Sequence, residues 1–147
     1  MLAIGCDHGG FELKEDILKH LKERGIEYYD FGIYENISVN YPEIGVKVAR
    51  AIADKKFEKG ILICGTGIGI SLAANKVKGI RAAVLSDEFS CEFTRRHNDA
   101  NILCLGGRVV SAEKAKKLVD IFLDTPFEGG RHQLRIDMLT AIENGEM

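Results

Sequence analysis

Tryptophan is absent, proline occurs only twice, and aromatic residues fill 7% of the 147 positions. No sign of charge prevails: 20 Lys and Arg stand against 22 Asp and Glu, a formal net charge of -2, so the basic footprint of a nucleic-acid or membrane-surface binder is missing. No apolar run approaches the roughly 20 residues that span a bilayer. The opening residues MLAIGCDHGG carry neither a basic leader region nor a small-residue cleavage site, and the protein is expected in the cytoplasm. Cys6, Cys64, Cys91 and Cys104 are spread too widely for a CxxC pair, the histidines lack HExxH spacing, and no GxSxG elbow exists. A zinc site, a dithiol redox centre and a serine hydrolase are therefore not expected.

What is present is the balance of a globular protein, with 46% hydrophobic residues, 29% charged residues and 16 glycines. One domain over residues 1–147 is expected, large enough to bury a core without disulfides. Short apolar runs alternate with stretches of helical period. The predicted strands are Leu2 to Cys6, Ile26 to Phe31, Ile61 to Cys64, Arg81 to Leu85 and Ile102 to Leu105, four of them nearly continuous apolar runs of the kind covered on both faces. Between them, Leu13, Ile17 and Leu21 recur at helical spacing, as do Ile44, Val48 and Ile52, and Ala115, Leu118, Val119 and Phe122. Gly25 suits the position just past the first helix and Pro42 the first residue of the second. The pattern predicts an α/β fold, a three-layer αβα sandwich around a five-stranded parallel sheet, with a C-terminal helical segment from about 125 to 147 packing on the site or on a partner subunit.

Ligands of such sheets bind at the carboxyl ends of the strands. Strand one ends in Cys6-Asp7-His8-Gly9-Gly10, strand three in Cys64-Gly65-Thr66-Gly67-Ile68-Gly69, strand four in Ser86-Asp87, and strand five in Gly106-Gly107-Arg108. The glycine loop opens a predicted helix from Ile70 to Lys76, so its amides suit an anion. A Walker A loop is excluded because Ser71 stands where its lysine belongs. A dinucleotide fingerprint would want Gly or Ala at Ile70, although Asp87 imitates the ribose-binding acid, and a non-catalytic nucleotide-binding module stays open as an alternative.

Cys64, where a strand meets those amides, suits a thiolate acting as base or nucleophile, whereas Cys6 and Cys104 read as inert core and Cys91 carries no functional signal. Asp7, His8, His97 and Asn98 supply groups that titrate or hydrogen-bond near neutral pH, while His20 reads as a solvent-facing or capping histidine. Arg131 and Arg135 lie four apart on a predicted helix and can grip a phosphate dianion together, whereas Arg95 and Arg96 read as a solvated basic face. A phosphate clamp, an amide-lined loop, a thiol and one or two histidines are what aldose-ketose isomerisation of a sugar phosphate requires. A base lifts the proton beside the carbonyl, donors stabilise the enediolate, and an acid-base pair opens the ring.

These residues resemble the ribose-5-phosphate isomerase type B family, which also contains the galactose-6-phosphate isomerase subunits. The resemblance runs nearly end to end, through CDHGG at 6 to 10, NYP at 40 to 42, ICGTGIGISLAANK at 63 to 76, GIRAA at 79 to 83, RRHNDANIL at 95 to 103, GGRVV at 106 to 110 and FEGGRHQLR at 127 to 135. It implies a Rossmann-like fold, no cofactor or metal, and a homodimer or tetramer whose active sites are shared between subunits. It makes Cys64 the proton-abstracting base, Thr66 and His97 the ring-opening residues, and Arg131 and Arg135 the phosphate grip. The loop with Gly65, Gly67, Ile68 and Gly69 would hold the enediolate, and Asp7, His8, Asn98 and Arg108 would contact substrate, with Tyr41 lining the site. His97, Asn98 and Arg108 are expected from the partner subunit. Some relatives place a glutamate later in the glycine loop as base, but Ile70 and Ser71 leave none here. Asn40 stands where many relatives have Asp before Tyr-Pro. A six-carbon substrate, allose 6-phosphate or galactose 6-phosphate, is the alternative within the class.

Overall fold

The computed structural model describes residues 1–147. Five parallel strands, β1 (Leu2–Cys6), β2 (Tyr28–Asp30), β3 (Gly60–Cys64), β4 (Ala82–Val84) and β5 (Ile102–Gly106), form one sheet in the order β2-β1-β3-β5-β4. The helices are α1 (Phe11–Glu23), α2 (Tyr41–Ala53), α3 (Ile68–Asn75), α4 (Glu88–Asn98), α5 (Ala112–Asp124) and α6 (Arg131–Glu143), with a single 3-10 turn at His8–Gly10. Right-handed crossovers put α1, α4 and α5 on one face of the sheet and α2 and α3 on the other, which gives the predicted three layers. No helix is long and apolar enough to cross a membrane.

Only three strands, β1, β3 and β5, are buried along their whole length. The apolar run at 81 to 85 is shorter and half-open because β4 lies at the sheet edge, with a neighbour on one side alone. β2, at the other edge, also contracts relative to its predicted range. Gly25 takes a left-handed backbone (φ +69) after α1, as expected, while Pro42 is the second residue of α2, behind Tyr41.

Three polar side chains inside the fold bear on its stability. Lys14, on α1, is fully buried; its Nζ donates to Asp30 Oδ1 at 2.8 Å and to the Ile33 carbonyl at 2.6 Å, tying α1 to the segment after β2. Arg95 is not a solvated charge: it is buried and donates to the carbonyls of Ala100 and Thr125 and to Asp99 Oδ1, because the end of α4 lies beneath the turn after α5. His20 does not face solvent alone either, since its Nε2 lies 2.7 Å from Asp120 Oδ1 and joins α1 to α5.

The register aligns the strand ends. Cys6 pairs with Ile63 and Cys64 with Gly106, so the loops after β1, β3 and β5 emerge side by side at the carboxyl edge of the sheet. The chain winds outward in opposite directions from β1 and β3, and the crevice between these strands is where such folds bind ligands.

Candidate active site

The three loops meet backbone to backbone. The Gly107 N–H donates to the Cys64 carbonyl at 2.8 Å and the Arg108 N–H to the Gly65 carbonyl at 3.0 Å. A Cβ on Gly107 would fall 2.3 Å from the Gly9 carbonyl oxygen, so no other residue fits there. Gly67 needs its hydrogen for two reasons: its φ is +80, and a Cβ would lie 2.8 Å from the Leu105 carbonyl carbon.

Within this frame Cys64 is 5% exposed at the last position of β3, and the Gly67 N–H donates to its Sγ at 3.1 Å. The sulfur thus sits under a backbone donor at the entrance of α3. Burial governs the other three cysteines. Burial pushes Cys6 up to about 11 and Cys91 up to about 12, and raises Cys104 further, so none ionises near neutral pH. Their expected inertness thus has a physical cause.

Around Cys64 the predicted residues take separate parts. Asp7 is buried, and its Oδ1 accepts from the Gly9 N–H at 2.8 Å, which caps the 3-10 turn and fixes the direction of His8. His8 is exposed, with Nδ1 accepting from the Val39 N–H at 3.3 Å, leaving Nε2 free for a ligand. Thr66 is exposed and its Oγ1 accepts from the Ile68 N–H at 3.2 Å. The glycine loop is therefore only partly open to an anion, since Gly67 and Ile68 direct their amides at Cys64 and Thr66. Tyr41 packs its ring on Gly69, and Ile68 stands exposed at the rim. Asp87 serves as the N-cap of α4, its Oδ2 accepting from the Ser90 N–H at 2.8 Å, which accounts for it without a ribose.

Arg108 departs from its expected place. Its guanidinium lies against Gly65 of its own chain, with Nη1 3.3 Å from where a Cβ on that glycine would stand, because the turn after β5 folds back over the glycine loop.

The remaining predicted residues are elsewhere. α4 runs antiparallel to the strands, so His97 and Asn98, at its end, lie at the amino edge, where Arg81 Nε donates to the Asn98 carbonyl just before β4. α6 starts beside them: the Glu128 N–H donates to the Arg96 carbonyl at 3.1 Å, and His132 stacks on His97 with ring centroids 4.1 Å apart. Arg131 and Arg135 are exposed on α6 here, and a cavity of about 320 Å³ opens among His97, Asn98, His132 and Arg135. Five residues of strand, about 17 Å, separate this group from Cys64. The C-terminal segment does not reach the carboxyl edge of its own chain.

Glu128 and His132 were given no role in the sequence reading. Glu128 Oε1 lies 3.5 Å from His132 Nε2 and 3.9 Å from His97 Nε2. Burial first, then the neighbouring His97 and Arg131, holds His132 below the usual histidine range. The i, i+4 spacing of Glu128 and His132 was a signal available in the sequence, whereas their contact with His97 was not.

The chain has counterparts among known proteins. Residues 2–139 match the model of the Ribose/Galactose Isomerase family. The chain belongs to that family. It is 51% identical to ribose-5-phosphate isomerase B of Escherichia coli K12 over 97% of this chain and 95% of that protein. Among solved structures it is similar to ribose-5-phosphate isomerase B of Clostridium thermocellum, with a TM-score of 0.96, 50% identity and 99% of each chain covered. It is also similar to the Mycoplasma genitalium ribose-5-phosphate isomerase B with bound ribulose-5-phosphate, with a TM-score of 0.92, 41% identity, and 97% and 95% of the two chains covered.

Proposed function

We propose that the chain interconverts ribose 5-phosphate and ribulose 5-phosphate by proton transfer, in the cytoplasm, as a homodimer or an assembly of dimers. The observation that carries the chemistry is the Gly67 amide on Cys64 Sγ at the ligand edge of the sheet, with every other thiol held protonated. Cys64 takes the proton from C2 of the open aldose and returns it to C1 of the enediolate. In the loop from Gly65 to Gly69, the amides left open, those of Gly65, Thr66 and Gly69, stabilise the charge on oxygen, while Gly67 and Ile68 hold Cys64 and Thr66 in place. Thr66 and His97 open the ring, Asp7, His8, Tyr41, Asn98 and Arg108 hold the sugar, and Arg131 and Arg135 grip the phosphate.

The separation between the two edges supports a shared site. His97, Asn98 and the two α6 arginines cannot meet the Cys64 of their own chain over one small sugar, so a second copy supplies them. α6 is suited to docking, since it leaves Leu134, Met138, Leu139 and Ile142 exposed on an otherwise soluble protein. Arg108 belongs to the Cys64 half.

Proton NMR of the purified protein with ribose 5-phosphate in deuterated water tests the reaction. Ribulose 5-phosphate should appear, with deuterium at C2 of recovered substrate. No conversion would move the assignment to a six-carbon sugar phosphate, and inertness toward those as well would leave a binding module.

A further inference from the structure

Away from the carboxyl edge, the densest group of ligating atoms lies where α6 meets the end of α4. One donor atom each from His97, Glu128 and His132 falls within 4.8 Å of the other two. His132 is 5% exposed and its Nε2 has no hydrogen-bond partner, an unsatisfied buried atom facing a carboxylate. We propose that His97, Glu128 and His132 bind a borderline transition-metal dication, Zn²⁺ or its analogue Co²⁺, and that the ion inhibits the enzyme by withdrawing His97.

Two imidazoles and one carboxylate are the donor types such ions select, with the fourth position open to water. Bonds of about 2.0–2.2 Å in a tetrahedron set donor atoms roughly 3.4 Å apart. The two imidazole nitrogens already stand 3.5 and 3.9 Å from Glu128 Oε1, so a few tenths of an ångström closes each pair. The rings are stacked at 10°, and one must turn its edge toward the ion. His97 is the free one, with 38% of its side chain exposed beside a cavity that admits the ion and its water. Arg96 Nη1, 3.9 Å from Glu128 Oε2, and the nearby Arg131 and Arg135 add positive charge, which makes capture reversible rather than structural.

Co²⁺ titration of the Cys64→Ser variant, followed by visible ligand-field absorption, tests the site without the competing thiolate. One ion per chain should bind, Zn²⁺ should displace it, and adding Glu128→Gln or His132→Gln should weaken binding about tenfold or more. Glu128 is largely exposed, so Glu128→Gln keeps the fold even where His132→Gln does not. Absence of binding, or equal binding with Glu128→Gln, overturns the site. A sulfur-to-cobalt band in the unaltered protein that disappears in Cys64→Ser together with all binding also overturns it. With the unaltered enzyme, Zn²⁺ should inhibit competitively with sugar phosphate and EDTA should reverse it. That arm rests on the ring-opening role of His97: cobalt binding without zinc inhibition would remove that role while the metal site stands.

Discussion

At the carboxyl edge of the sheet, Cys64, Asp7 and Gly67 are buried and linked to one another's loops by short backbone contacts, whereas at the amino edge Arg131, Arg135 and Asn98 stand in solvent around a stacked histidine pair. The first region is finished within one chain. The second has charge, hydrogen-bonding capacity, an adjoining apolar helix face and a cavity lined by two histidines, but no thiol. Under the proposed shared site, preorganisation and binding are divided between chains: the buried half holds the proposed base, and the open half of a second copy closes over it.

The strongest way to break this contrast is Cys64→Ser, which keeps the shape but raises the pKa of the base far above neutrality. kcat should fall roughly a thousandfold, about 4 kcal/mol, with KM little changed. Near-normal turnover would remove Cys64 from the role. Next comes the support beneath that edge. Lys14→Ala strands Asp30, whose side chain is 21% exposed, and should lower unfolding free energy by about 3 kcal/mol in urea melts, while Lys14→Met should cost less. Equal stability of all three proteins would deny the pair its anchoring part.

At the open edge, Arg135→Ala should lower kcat/KM by about 2 kcal/mol, or thirtyfold, and abolish inhibition by inorganic phosphate. Unchanged phosphate inhibition would place the clamp elsewhere. Sharing of sites can be read directly by co-expressing Cys64→Ser and Arg135→Ala chains. Random pairing leaves one intact site in half of the dimers, so about a quarter of wild-type activity should return, and none if each chain holds a whole site. The smallest effect concerns His132. Its proton affinity is lower folded than unfolded, so the unfolded chain binds more protons as pH falls through about 6.5. Stability should therefore drop between pH 7.5 and 6, and urea midpoints of His132→Asn should show less of that drop.

The carboxyl edge was legible because its signals are local. Three apolar runs ending in glycine, cysteine and aspartate placed β1, β3 and β5 and their loops, and the strand-end rule did the rest. Arg108 was misplaced because the fold-back of its turn depends on Gly107 meeting Gly9, a contact across about two thirds of the chain. The helices bearing His97 and Arg135 were expected from the sequence, but their distance from Cys64 follows from strand order, which local sequence does not carry. Lys14 and Arg95 look like surface charges in sequence, and only packing of α1 against the segment after β2, and of α4 beneath the end of α5, turns them into buried donors. Glu128 lies 31 positions from His97, beyond the reach of any spacing rule.

The glycine contacts also bear on how this enzyme could change its substrate. Gly9 and Gly107 meet main chain directly, so they have no side chain to vary, and any atom added at either pushes two loops apart. On the proposed site, variation that alters the accepted sugar is confined to the rim, at Tyr41 and Ile68. An engineer who randomised the loop tips would recover mostly unfolded protein; one who randomised the rim would be searching where the fold tolerates change.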